Sequence, residues 1–106
     1  MNIQFKGTFK RLDGTPIKYD DSQEEITAGK WLGNTFYGSK HTDAIRGAEI
    51  AKNIYSEKVF DITPESLDKV EKFIKDLQVW IAFIMPLLDI VEAARNGDKV
   101  KEKITK

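Results

Sequence analysis

Over the first twenty positions, apolar and polar residues alternate. Ile3, Phe5 and Phe9 fall on one face of a period-two pattern and Gln4, Lys6, Thr8 and Lys10 on the other, which predicts a half-buried strand. Gly7 interrupts the pattern where a bulge would sit. Asp13-Gly14 supplies the positive-φ chemistry of a tight hairpin turn, and Ile17 and Tyr19 resume the alternation on a return strand. Pro16 has no N–H to give to a ladder, so this return strand is expected at an edge. The acidic run Asp20, Asp21, Glu24 and Glu25 reads as a solvated connection.

From Thr27 onward the period becomes helical. Ala28, Trp31, Leu32 and Phe36 form one stripe, with Thr27 as N-cap, Ile26 placed to staple against Trp31, and Gly38 as C-cap. A second helix is expected from Thr42 or Asp43, with Ile45, Ala48, Ala51, Ile54 and Tyr55 on its buried stripe; Gly47 weakens it by about 1 kcal/mol relative to alanine. Thr63-Pro64-Glu65 is the clearest helix start in the chain. Threonine caps, proline is preorganised for the first helical position, and glutamate complements the helix dipole. Leu67, Val70, Phe73, Ile74 and Leu77 then mark the buried side of a third helix.

The last helical stretch is apolar nearly all round. Trp80, Phe83, Ile84, Leu87, Leu88 and Val91 keep one spacing, while Ile81, Met85 and Ile90 lie opposite, so both sides need cover. Pro86 removes one backbone bond and predicts a break between Gln78 and Pro86. Asn96-Gly97 is expected to end the helix and to leave residues 97–106 as a disordered tail. The pattern as a whole predicts an α+β fold: an N-terminal β-hairpin followed by a bundle of about four helices, in one domain over residues 1–96.

Composition narrows the function classes. With 106 residues the chain suffices for one core. Its 17 Lys and Arg balance 17 Asp and Glu, so the global positive field of a non-specific nucleic-acid binder is missing. The absence of cysteine removes disulfides, thiolate metal sites and thiol catalysis, and suits a reducing cytoplasm. The start, MNIQFKGTFKRLDG, lacks the pattern of a signal peptide. The most apolar run, Val79 to Leu88, has about half the roughly 20 residues that a membrane span requires, so no membrane is expected.

Candidate chemistry fails at named positions. His41 is the one histidine, so a catalytic pair with Ser22, Ser39, Ser56 or Ser66 must use it, and neither an orienting carboxylate nor an oxyanion hole is readable. Gly29-Lys30 has the ending of a phosphate-binding loop, but Glu24 stands at the first glycine position and Trp31 where a magnesium-reaching hydroxyl is needed. The acidic connection lacks the glycine and terminal glutamate of a calcium loop. Asp61 and Glu65 are explained by helix capping. No enzyme, no cofactor and no metal is therefore expected, and binding is the expected mode of action.

Two surfaces are candidates for it. The hairpin carries Lys6, Lys10, Arg11 and Lys18 against Asp13, and the tail carries Lys99, Lys101, Lys103 and Lys106 against Asp98 and Glu102. Side by side these would contact phosphates, with Phe5 or Phe9 to stack on bases, although alternating lysines also protect strand edges from aggregation. Among the aromatics, Tyr37 and Trp80, with Phe83 and Ile84, are the candidate anchors of a protein interface.

The stretches LDGTPI at Leu12–Ile17, TAGKWLGNTF at Thr27–Phe36 and DAIRGAEIAKNIY at Asp43–Tyr55 resemble, in that order, a group of small proteins encoded by bacteriophages and prophages. The resemblance covers residues 3 to 94 and rests on a turn, caps and a helix face. It implies a fold more than an activity, and the more apolar VWIAFIMPLL with Pro86 departs from the pattern. It also implies a stoichiometric inhibitor of a host or defence protein, of the CRISPR kind for instance, or a virion or tail assembly factor that oligomerises through its last helix. The partner is accordingly expected to be a host or phage protein, or a second copy of the chain, and a nucleic-acid-binding regulator stands third.

Overall fold

The computed structural model describes residues 1–19, 23–39 and 44–104, with the side chains of Ala44 and of residues 98–104 outside that description. The fold is α+β, with four helices following the N-terminal β segment: α1 (Ala28–Tyr37), α2 (Ala44–Tyr55), α3 (Pro64–Asp76) and α4 (Ile81–Ile104). The chain divides into two compact units, one of Gln4–Lys58 and the other of Met1–Ile3 with Val59–Lys106.

In the first unit the turn expected at Asp13-Gly14 forms. Gly14 sits at φ +87° and donates to the Arg11 carbonyl, and the Thr15 N–H and hydroxyl both donate to Asp13 Oδ1 at 3.0 and 2.7 Å. These bonds, the hydroxyl's foremost, hold the Asp13 carboxyl below its ordinary value. The ladder behind the turn is irregular and three-sided. Ile17 donates to Phe9, Phe9 to Ile26 and Ile26 to Ile17, so three short segments satisfy one another's backbones around buried Phe9, Ile17 and Ile26. Pro16 sits in a single bridge with Lys10, where no N–H is asked of it. Tyr19 is exposed, against the alternation that paired it with Ile17.

Helices α1 and α2 pack through small residues. Gly29 and Gly33 lie one turn apart on α1, and a methyl group on Gly33 would stand 2.7 to 2.9 Å from Tyr55 Cβ, N and Cα. On Gly29 it would meet the carbonyls of Ile54 and Phe5 at 2.6 and 2.7 Å, and the Glu57 side chain. The glycine of the rejected phosphate-loop reading is therefore a close-packing residue. The buried stripe of α2 is Gly47, Ala51 and Ile54; Ile45 and Tyr55, both expected inside, are exposed. The start of α2 at Thr42 or Asp43 and the lone His41 lie outside the described residues, as do Asp20, Asp21 and Ser22.

The cap of α1 differs from the expected one. Thr27 has the extended N-cap conformation but makes no side-chain cap bond, and its Oγ1 is buried without a partner. The first-turn N–H of Gly29 donates instead to Glu57 Oε2 at 3.3 Å, 28 residues away. Glu57 follows α2 at φ +60°, a left-handed conformation, and its carbonyl accepts from Gln4 Nε2 at 3.0 Å. Loss of that carboxylate in Glu57→Ala is expected to cost about 1 to 2 kcal/mol, the usual range for a lost cap. Glu57→Gly, which also relieves the backbone, should be the milder variant by about 1 kcal/mol. Urea titration of both variants checks the order.

In the second unit β1 (Asn2–Ile3) pairs antiparallel with β2 (Phe60–Asp61), in the register Asn2 to Asp61 and Ile3 to Phe60. Of the strand expected over Ile3 to Phe9, only its start enters this ladder. α3 begins as its Thr-Pro-Glu sequence requires, with Thr63 Oγ1 accepting from the Ser66 N–H at 3.1 Å. α3 and α4 form an antiparallel helical hairpin around Leu67, Val70, Ile74, Leu87 and Val91. Arg95 on α4 donates to Asp68 Oδ1 at 2.6 Å and to Glu71 Oε1 at 3.4 Å on α3, fixing that pairing at its far end. The expected break occurs, at residues 77–80, and Pro86 is accommodated within α4. α4 also continues through Asn96-Gly97, which does not end it.

Candidate functional site

The helical hairpin of the second unit turns at residues 77–80, and its apolar residues there are not covered. Leu77 ends α3 in an extended conformation, and α4 starts when the Trp80 carbonyl accepts from Phe83 and Ile84 at 2.9 and 3.3 Å. Helical geometry then points Ile81 and Met85 to one side, four residues apart, and Leu87 and Val91 to the other. The inward pair is fully buried, while Ile81 is 75% and Met85 51% exposed. Trp80 is 65% exposed and lies against Phe83 with ring centroids 6.1 Å apart, which limits the rotation of a large apolar surface. Val79 is exposed beside it. Large apolar side chains that are adjacent and uncovered form a patch, whereas single exposed ones are ordinary.

Of the anchors expected from sequence, Trp80 belongs to this patch, and Phe83 and Ile84 are half-buried at its inner edge. Sequence reasoning missed Ile81 and Met85 as its other exposed members. Tyr37, 66% exposed at the end of α1, belongs to the other unit, as do Lys6, Lys10 and Arg11, all exposed. Phe5 and Phe9 are fully buried, which removes the stacking platform envisaged beside the basic residues. Phe9 is packed edge-on against Trp31, at 5.7 Å and 83°. Lys18 donates to Gln23 Oε1 at 3.3 Å, and the tail lysines lie among the side chains not described.

Among the described residues no three His, Asp or Glu side chains gather as a metal site. No described helix is long and apolar enough to cross a membrane. Comparison with known proteins leaves the geometry to stand by itself. No family model, curated protein or solved structure matches the chain. What the patch can do chemically follows from its composition. It carries no nucleophile or titratable group from Val79 to Leu88, so it offers dispersion and desolvation to another apolar surface.

Proposed function

We propose that this chain is a non-enzymatic protein-binding module that engages its partner through Trp80, Ile81 and Met85, and that it acts as a phage-derived stoichiometric inhibitor of a host or defence protein. The carrying observation is the uncovered apolar patch at the α3–α4 turn. Tryptophan and methionine are enriched among interface residues, and an aromatic already packed against a neighbour loses little freedom on binding. The phage and inhibitor parts of the reading come from the sequence resemblance.

Substitution at the patch tests it. Trp80→Ala is expected to leave the melting temperature close to that of the parent, because the indole is mostly in water, and to weaken partner binding by at least about 2 kcal/mol, a hot-spot loss of roughly thirtyfold. Pull-down from host lysate and a phage-restriction assay with the parent and the variant provide the measurement. No partner for the parent, with restriction unchanged on expression, rejects the reading. Growth of the particle mass with concentration in light scattering would favour an assembly factor instead.

A further inference from the structure

We infer that the outer face of α4 receives a basic amphipathic helix of a different protein. This rests on the binding reading above and assigns the chemistry of its partner. Ile81, Met85, Asp89 and Glu92 follow one another at helical spacing and are all exposed, so one stripe changes from apolar to acidic along its length. Between Val79 and Ala94 there is no lysine or arginine to offset the two acids. The next cation, Arg95, is bonded to Asp68 and Glu71 on α3. A complementary helix sets aliphatic side chains over Ile81 and Met85 and, about two turns along, lysines or arginines over Asp89 and Glu92.

A second copy of the chain fits this face poorly. In an antiparallel pair centred on Met85, Ile81 of each copy meets Asp89 of the other, which desolvates a carboxylate against an aliphatic side chain. In a parallel pair, Asp89 meets Asp89 and Glu92 meets Glu92. Both arrangements place groups together at a cost. The same two acids repel a phosphate backbone.

A matched pair of fluorescent synthetic amphipathic helices, each about 18 residues long, provides the probe, one built of leucine and lysine and the other of leucine and glutamate. Fluorescence anisotropy against the full chain at about 0.15 M ionic strength is expected to show the lysine peptide binding at least about tenfold more tightly. The double variant Asp89→Lys with Glu92→Lys should reverse that preference, and Ile81→Ser with Met85→Ser should weaken both peptides. A preference that the charge reversal leaves unchanged, binding of neither peptide, or self-association of the chain in place of peptide binding overturns the inference. Pull-down with the two double variants separates it from the broader reading. If the serine variant loses the lysate partner and the lysine variant keeps it, the patch binds a partner but not a basic one. If both keep it, both readings fall.

Discussion

Gly33→Ala is expected to destabilise the α1–α2 unit by about 2 to 3 kcal/mol, although alanine is the better helix former by roughly 1 kcal/mol. The sign is decided by what the added methyl meets. Two of its three nearest neighbours are backbone atoms of Tyr55, at 2.8 and 2.9 Å, and the third is that residue's Cβ at 2.7 Å. None of these can rotate away as the end of a long side chain can, so α1 and α2 must separate along the contact that buries Leu32, Phe36, Ala51 and Ile54. Gly97→Ala is the internal control. It is also helical, a methyl group there meets nothing within 4 Å, and it should be neutral or stabilising by up to about 1 kcal/mol. Thermal melts followed by circular dichroism separate the two, with a fall on the order of 10 °C expected for Gly33→Ala.

This contact shows which parts of the fold were legible in the sequence. Features written in neighbouring residues were read correctly: the Asp13-Gly14 turn, the Thr63-Pro64 start of α3, the buried face of Ile3, Phe5 and Phe9, and the break before Pro86. Features that depend on distant residues were not. Glu57 caps α1 from 28 residues away, and no local pattern marks a glutamate at φ +60° as a cap donor's partner. Thr27 has the right residue type in the right place, yet its hydroxyl is unpaired. The stripe of α2 also differs from the expected one. A large apolar residue such as Ile45 reads as core by hydropathy, yet the buried stripe of α2 is made of Gly47, Ala51 and Ile54, small residues included, and Ile45 is left outside. At α4, periodicity could not choose a face because apolar residues lie all round. Trp80 was singled out by residue type, and Ile81 and Met85 became visible only once burial was known.

The two faces of α4 can be separated by placing the same charge on each. Leu87→Asp is expected to unfold the α3–α4 hairpin. Leu87 is fully buried, as are Leu67, Val70, Ile74 and Val91 of the same hairpin, none of which carries a charge to pair with a carboxylate, and an unpaired buried charge costs several kcal/mol. A total stability of roughly 5 to 15 kcal/mol does not comfortably absorb that loss. Met85→Asp, two residues earlier, keeps half its surface in water and should cost less than about 1 kcal/mol, because the carboxylate remains solvated. If the outer face binds a partner, Met85→Asp should therefore retain the parent's near-native melting while partner binding falls, whereas Leu87→Asp loses both together. Equal destabilisation by the two substitutions would mean that Met85 is covered within the folded chain, and the apolar turn would then be part of the core.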